Sequence, residues 1–322
     1  MTYKVLLVGL GQIGMGYDFD AAFSSDIVAT HARAFALHPN FILVGGVDSD
    51  THLCTKFSGK YGAEANCDLV EMLVKTQPDI VVIATPTRFH GYAVRKALLH
   101  ASPRLILCEK PLAYEQEEAQ AMVDDCKRRS CQLYVNYLRR VDPGVVDVKQ
   151  RLMDGRIATP IKGVAWYTKG LMHNGSHFSN LLEFWLGSIV DFKLISPGRL
   201  CQGTDSEPDV QIVFEAGVVF FLAANAEDFS HHEIQLVAPN GCLRYEHGGG
   251  KITWQSAVPV RNLNGYSVLS QEEELIASGS QNLQWSVVDN LNAILQGAST
   301  YLCTGEQAME TLESLLRIKA AL

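Results

Sequence analysis

The sequence has no stretch long and apolar enough to span a bilayer; Val218–Ala224 is among its longest apolar runs, against the roughly 20 residues a membrane helix needs. It has no excess of positive charge. Lys plus Arg is 27 against 35 for Asp plus Glu, a net charge of -8. That balance excludes the electrostatic footprint of a protein bound to nucleic acid or to an anionic membrane. It has no closely spaced cysteine pair: Cys54, Cys67, Cys108, Cys126, Cys131, Cys201, Cys242 and Cys303 are scattered, and none forms CxxC. The expectation is free thiols in a reducing compartment, with no disulfide framework or zinc knuckle. Met1–Gly16 shows no signal-peptide pattern, because glycines break its short apolar run. The protein is therefore expected in the cytoplasm. Repeats, low-complexity tracts, a GxSxG elbow and an HExxH zinc helix are all missing.

What is present is the composition of an ordinary folded protein, 47% hydrophobic and 19% charged over 322 residues. That length suggests about two domains. Its first part alternates two textures. Short β-branched runs at Lys4–Val8, Phe41–Val47, Ile80–Ala84, Leu105–Cys108 and Gln132–Tyr137 read as buried strands. Helical patterns lie between them at Thr30–Leu37, Thr51–Tyr61, Asp68–Lys75, His90–His100 and Glu115–Arg129. The last has acids in its first turn and Lys127, Arg128 and Arg129 in its last, matching the helix dipole. Strand and helix in alternation predict βαβ units and a parallel sheet.

After a further helix near Gly144–Met153 the texture changes. Val210–Phe214 and Val218–Leu222 flank Ala216-Gly217, and Ile234–Ala238 and Cys242–Tyr245 flank Asn240-Gly241. These are hairpin signals and predict a mostly antiparallel sheet. Helical stretches follow at Trp285–Leu295 and Glu306–Ala320. The expected division is residues 1–138 and 139–322.

Gly9-Leu10-Gly11-Gln12-Ile13-Gly14 follows the first strand directly and matches the dinucleotide-binding fingerprint. Its glycines serve the turn, the approach of a pyrophosphate, and helix–strand packing, with helix amides facing the phosphates. The acidic residue this fingerprint calls for is Asp48, which ends Leu43–Val47. It lies 34 residues after Gly14, and removing Tyr17–Thr30 as an insertion restores the usual spacing of about 20. A carboxylate there accepts from ribose hydroxyls and repels a 2′-phosphate. Ser49 and Asp50 offer no counter-cation, so the expected cofactor is NAD rather than NADP.

Ligands of open α/β sheets bind beyond the carboxyl ends of the strands. Gly9–Gly14, Asp48, Thr85-Pro86 and Glu109-Lys110-Pro111 all fall at such ends. Lys110 has an apolar strand before it and a proline after it. A partly desolvated lysine beside a nicotinamide cation has a lowered pKa and can move a proton to or from a hydroxyl. A lysine that merely ends a strand at the surface is the other reading of the same residues.

Together, Glu109-Lys110-Pro111-Leu112, the Gly9–Gly14 fingerprint, Thr85-Pro86 with His90, and Asn136-Tyr137-Leu138-Arg139-Arg140 resemble the Gfo/Idh/MocA family of oxidoreductases, over nearly the whole chain. The resemblance implies an N-terminal Rossmann domain with a parallel sheet. It further implies a C-terminal α/β domain with a mostly antiparallel open sheet that serves the substrate and often oligomerisation. It implies NAD-dependent hydride transfer to or from a hydroxyl or ketone of a sugar, cyclitol or nucleotide sugar. By the same token Gly9, Gly11, Gln12, Ile13, Gly14, Asp48, Thr85, Pro86, His90, Glu109 and Lys110 would meet the cofactor. Lys110 would be catalytic, with Lys110-Pro111 a cis peptide.

The family's Asp-x-Gly-x-His segment, with a further Asp three residues on, corresponds to His173–Asn180. His177 keeps the histidine, while the aspartates have become His173 and Asn180. The expected relay uses Lys110 and His177, alone or with His173. Lys110, Arg139, Asn174, His177 and Asn180 are the expected substrate contacts, Arg139 sharing its odds with a surface salt bridge. No metal is expected, since His173 and His177 lack a third ligand.

Several other features have bland readings. His231-His232 reads as a strand end, His247-Gly248-Gly249-Gly250 as a hairpin turn, and Glu272-Glu273-Glu274 as a solvated helix start. Asn174-Gly175-Ser176 is a formal glycosylation sequon without meaning in a cytoplasmic protein. Two other functions fit the same residues: an NAD-dependent glycoside hydrolase of this family, and a regulator that binds NAD or sugar without catalysis. The expected partners are a sugar-type small molecule and further copies of the chain, with no nucleic acid and no membrane.

Overall fold

The computed structural model describes residues 2–20, 27–201, 203, 205–224, 229–276 and 282–322. Part of the Tyr17–Thr30 insertion, residues 21–26, therefore lies outside the described residues.

The chain runs through β1 (Tyr3–Val8), α1 (His31–Leu37), β2 (Phe41–Val47), α2 (Thr51–Tyr61), β3 (Ala65–Asn66), α3 (Leu69–Thr76), β4 (Ile80–Ile83), α4 (His90–His100), β5 (Leu105–Cys108), α5 (Gln116–Arg128) and β6 (Gln132–Val135). β4 and β5 are buried at every position, which is why their sequences are unbroken apolar runs instead of alternating ones. Asp50 and Asp68 cap α2 and α3 by accepting from the amides of His52 and of Val70 and Glu71. Gly62 ends α2 at φ 68°, a left-handed conformation that suits glycine.

After this come α6 (Pro143–Met153), β7 (Ile161–Tyr167), α7 (Ser176–Leu186), β8 (Ile189–Cys201), β9 (Asp205–Phe214), β10 (Gly217–Ala223), β11 (Glu233–Ala238), β12 (Gly241–Glu246), β13 (Lys251–Pro259), β14 (Ser267–Leu269) and β15 (Glu274–Ile276). The chain closes with α8 (Leu283–Leu295), β16 (Cys303–Thr304) and α9 (Gly305–Ala320).

Two compact units result. The first is Met1–Val141 with Gln281–Leu312; the second is Asp142–Ser280 with Glu313–Leu322. The crossing lies within a few residues of the divide expected from sequence. The return of α8 and β16 to the first unit has no signature in the hydropathy pattern.

In the first unit the strand order is β16-β6-β5-β4-β1-β2-β3. β1 to β6 pair in parallel, and β16 adds antiparallel to β6. The order reverses between β1 and β4, so a crevice opens beyond their carboxyl ends. The second unit holds a sheet ordered β14-β13-β12-β11-β7-β10-β9-β8, with β15 also on β13. All its pairs are antiparallel except β7 with β10. Its inner face packs against α6, α7 and the end of α9, around Tyr167, Phe178, Trp185, Phe221, Leu315 and Ile318. Both expected hairpins are present, β9–β10 and β11–β12.

Two local readings change. Glu272–Glu274 does not start a helix: Glu274 opens β15 and takes both terminal nitrogens of Arg151, at 2.8 and 2.7 Å. A helix does not run on unbroken from the fingerprint. Residues after Gly11 form turns, and α1 begins only at His31. The break is the insertion itself. His31 N donates to Ile13 O (3.1 Å) and Ala32 N to Gly14 O (2.9 Å). In a continuous helix those carbonyls would take the amides four residues on, so His31 stands where residue 17 would. The α-helix starts only at His31, directly after the segment that the fingerprint spacing marks as inserted, and Gly16–Phe19 forms a short 3-10 turn. Asp18 pins the near end by accepting from Thr30 Oγ1 (2.5 Å) and from the Tyr61 hydroxyl. Next to that carboxylate and buried, the Tyr61 phenol is pushed far above its usual range.

Candidate active site

The fingerprint glycines are required by geometry. Gly9 has φ 98°, and a Cβ there would meet Ala84 C at 2.5 Å and Thr85 N at 2.7 Å. The first turn thus lies against the end of β4. A Cβ on Gly14 would strike Gly9 O at 2.2 Å. Gly11 differs, because a Cβ there would meet nothing within 4 Å. Its surroundings are open, as an approaching pyrophosphate requires.

Asp48 ends β2 and ties that edge together. Its Oδ2 accepts from Leu10 N (2.8 Å) and its Oδ1 from Asp50 N (3.0 Å). A carboxylate oxygen has lone pairs to spare beyond one such bond, so ribose hydroxyls can still be accepted. At the end of β4 the Thr85 Oγ1 is shut off from solvent and has no hydrogen-bond partner. A buried hydroxyl without a partner at a strand end calls for a ligand group. The open Gly11, the paired but unsaturated Asp48 and the orphaned Thr85 hydroxyl fit a dinucleotide.

His90, at the start of α4, is turned to another task. Its Nε2 lies 2.9 Å from Thr85 O and its Nδ1 3.2 Å from Leu112 O. It is 1% exposed and braces the loop after β4 against the turn that follows Lys110. Both ring nitrogens face backbone carbonyls of the protein.

Glu109 and Lys110 leave β5, and the Lys110-Pro111 bond is cis. Glu109 is gripped from two other segments, and a third braces them. Its Oε1 is 2.8 Å from His31 Nε2 on α1 and accepts from Asn136 Nδ2 (2.7 Å) just after β6. Gln284 of α8 touches both partners, at 3.3 Å from Asn136 and 3.5 Å from His31. The Glu109 Oε2 accepts from Lys110 N at 3.3 Å. Burial alone would raise the Glu109 pKa. The bond and charge of His31, the Asn136 bond and the Lys110 charge outweigh it and hold the carboxyl below its ordinary range. The same carboxylate and full burial push the Cys108 thiol well up.

The first unit thus brings Gly9, Gly11, Gln12, Ile13, Gly14, Asp48, Thr85, Pro86, Glu109 and Lys110 to one sheet edge. Arg139 lies on the short helical turn Leu138–Val141. His31 and Gln284 carry no motif. The one signal for His31 is its place, third after Gly14 once Tyr17–Thr30 is removed. Gln284 has none, since it returns from far along the chain.

The second unit gathers the other candidates on a π-helical turn, Gly170–Gly175, running into α7. His173 is exposed, Asn174 and His177 are half-buried, and Asn180 is buried. His177 and Asn180 are three apart and share one face of α7. Two carboxylates of β9 hold the turn, neither of them marked by any sequence motif. Asp205 accepts from Met172 N (3.2 Å) and His173 N (2.9 Å); Glu207, 1% exposed, accepts from Gly170 N (3.1 Å) and Arg199 Nε (2.7 Å). Gly170, at φ 88°, is required here, because a Cβ would lie 2.0 Å from Asp205 Oδ2. Among the described residues no group of three or more His, Cys, Asp or Glu side chains is placed to hold a metal ion, and no helix is long and apolar enough to cross a membrane.

Comparison with known proteins agrees with this geometry. Residues 3–137 match the model of an oxidoreductase family with an NAD-binding Rossmann fold. Inositol 2-dehydrogenase of Rhizobium meliloti (strain 1021) is 28% identical over 158 residues, 49% of this chain and 42% of that enzyme. The scyllo-inositol 2-dehydrogenase (NAD(+)) of Bacillus subtilis (strain 168) is 36% identical over 94 residues, 29% of this chain and 27% of that one. The alignments thus span less than half of these relatives. Among solved structures, UDP-N-acetylglucosamine 3-dehydrogenase GnnA from Acidithiobacillus ferrooxidans superposes with a TM-score of 0.79 at 17% identity, covering 100% of this chain and 98% of that one. The WlbA dehydrogenase from Bordetella pertussis, in complex with NADH and UDP-GlcNAcA, gives 0.78 at 17% identity, covering 99% and 95%. Both likenesses carry the two-unit fold across the whole chain. Through residues 3–137, with their fingerprint and Glu-Lys-Pro turn, the chain matches the Gfo/Idh/MocA oxidoreductase family, whose Rossmann fold is NAD-binding.

Proposed function

We propose that the protein is an NAD-dependent oxidoreductase acting on a secondary hydroxyl or ketone of a sugar, cyclitol or nucleotide sugar. One observation carries the reading: an intact dinucleotide edge ends in a lysine whose backbone is tied to an ionised glutamate. Relatives named as inositol dehydrogenases and neighbours named as UDP-sugar dehydrogenases support the substrate class.

In this reading NAD supplies the hydride acceptor. Gly9–Gly14 receive the pyrophosphate with backbone amides, Asp48 accepts from the ribose hydroxyls, and Thr85 donates its spare hydroxyl proton. Lys110 takes the proton from the substrate hydroxyl. His177, with Asn174, Asn180 and Arg139, serves the substrate, and His173 stands in for the missing aspartate. The first unit is the cofactor domain and the second the substrate domain.

The second unit is also proposed to join copies of the chain. The outer face of its sheet carries Val164, Trp166, Val213, Val218, Phe220 and Leu222 on adjacent strands, and Trp166 is 38% exposed. A grouped apolar face of this kind marks an interface. A cytoplasmic location belongs to the same proposal and is supported by eight free cysteines.

The test is to incubate the protein with NAD and a panel of sugars, cyclitols, sugar phosphates and nucleotide sugars, and to record NADH for wild type and Lys110→Ala. A signal lost in the variant establishes the reaction and its substrate class. NAD binding without NADH formation transfers the assignment to the hydrolase, if a glycoside is cleaved, or to the regulator if none is.

A further inference from the structure

The polar cluster around Glu109 is more than the family fingerprint accounts for. Four side chains from four segments meet there: His31 from α1, Glu109 from the end of β5, Asn136 from beyond β6 and Gln284 from α8. His31 and Asn136 are each 1% exposed and Gln284 3%. An apolar filling of the same volume would usually be as stable or more so. A buried polar cluster therefore needs a further reason, and its position offers one. Its carboxylate has two oxygens with separate duties. Oε1 is held by His31 and Asn136, while Oε2 accepts from the Lys110 amide.

We infer that His31 is a positioning residue for Lys110: by fixing the Glu109 carboxylate it sets the backbone from which the lysine side chain springs. This inference rests on the oxidoreductase reading and names a residue on which that reading depends. The route is short. His31 Nε2 and Lys110 N are bonded to opposite oxygens of one rigid, planar group, so a rotation of the carboxyl at one end is felt at the other. His31 is itself placed at the start of α1, whose first amide is anchored on Ile13 O of the fingerprint turn. The nucleotide turn and the lysine are thereby mounted on one frame.

The groups that face the carboxyl are few. His31 approaches from α1, and Lys110 and Cys108 flank it on its own segment; Asn136 and Gln284 are neutral. Loss of His31 removes a hydrogen bond and a charge that hold the Glu109 pKa down. The acid limb of the activity profile then moves to higher pH.

The experiment compares wild type, His31→Ala, His31→Gln, Lys110→Ala and the double variant in the full chain. His31→Ala should lower kcat by roughly 30-fold, within the loss of about 100-fold that misplacement of a catalytic group can cause. It should leave the Kd for NADH within about threefold and move the acid limb upward. His31→Gln returns a neutral donor and should recover most of kcat without restoring the acid limb. In the Lys110→Ala background His31→Ala should cost nothing more, since groups acting as a unit are not additive.

A second readout needs no turnover. The rate of acetic anhydride labelling at Lys110, measured by mass spectrometry against the exposed Lys319, should change at least threefold, on the order of 0.65 kcal/mol, in His31→Ala. An unchanged labelling ratio overturns the inference. So does a fall in kcat that is repeated in full on Lys110→Ala. A wild-type protein that forms no NADH while its labelling ratio responds to His31 overturns the reaction and leaves the mechanical link standing.

Discussion

Each unit fastens its candidate residues with carboxylates, and the two do it differently. Glu109 is met mainly by side chains drawn from two remote segments, themselves braced by Gln284 from a third. Asp205 and Glu207 are met mainly by backbone amides of a single turn, Gly170, Met172 and His173, with Arg199 also donating to Glu207. A carboxylate bound by ionisable and amide side chains has its charge set by its neighbours, so substitutions there change protonation. A carboxylate bound by backbone amides fixes a loop's path, so substitutions there change shape. The first arrangement suits proton transfer beside a cofactor. The second suits the presentation of His173, Asn174 and His177 to a substrate.

The largest expected effect is at Lys110. Lys110→Ala should lower kcat by about 10²–10⁴, the usual worth of a positioned acid or base, with the Kd for NAD nearly unchanged. A variant that turns over normally would remove the chemistry from the first unit and end the contrast.

Next comes the turn of the second unit. Gly170→Ala adds a Cβ against Asp205 at a positive φ. It should destabilise the protein by about 1–3 kcal/mol, visible as a lowered Tm. Asp205→Ala strips two amides of their acceptor, at about 0.5–1.5 kcal/mol each, since water can reach the exposed His173. In steady-state kinetics it should raise the substrate KM while leaving NADH binding unaltered. A raised Kd for NADH would show that the two anchors are not separate devices.

Glu109→Gln probes charge against shape. The folded protein holds this carboxyl below its ordinary range, so ionised Glu109 adds stability at neutral pH. That contribution is lost as pH falls from the ordinary value, about 4.3, through the lowered one. The Tm gap between wild type and Glu109→Gln should therefore be widest near pH 7 and close in acid. An equal gap at every pH would make the glutamate a matter of fit alone.

The smallest effect is at the edge of the first sheet and the outer face of the second. Asp48→Asn should weaken NAD binding by about 1 kcal/mol or a little more, the worth of a hydrogen bond to a charged group, and narrow the preference over NADP. Phe220→Lys on the outer face should lower the mass measured by light scattering without altering NADH binding. An unchanged mass would move the copy-to-copy contact elsewhere.

The sequence made much of this visible, for identifiable reasons. β2, β5 and α2 carry the ends read from hydropathy and capping residues, because a buried apolar strand and a helix closed by Asp and Gly write their limits locally. β7 and the long β8 went unread. β8 mixes Pro197 and Gly198 into an irregular register with bulges, and so shows no period of two. Glu272–Glu274 looked like a helix start because charge is scored without its partner, Arg151. The spacing of His90 likewise does not reveal that its ring bridges Thr85 O and Leu112 O.

By itself the sequence determined the parallel sheet, the fingerprint turn with its three glycines, the acidic end of β2 and the Glu-Lys-Pro turn. These are local: each follows from steric freedom at glycine, from burial of an apolar run, or from a charge at a strand end. It even marked the inserted segment, because a 14-residue excess in a fixed spacing is a count. Only the tertiary structure decided which groups grip Glu109 and which carboxylates shape the His173–His177 turn. His31 and Gln284 are 253 positions apart, and Asp205 is 32 from His173. Such partnerships are formed when sheets and helices close on one another, and no pattern of neighbouring residues encodes them.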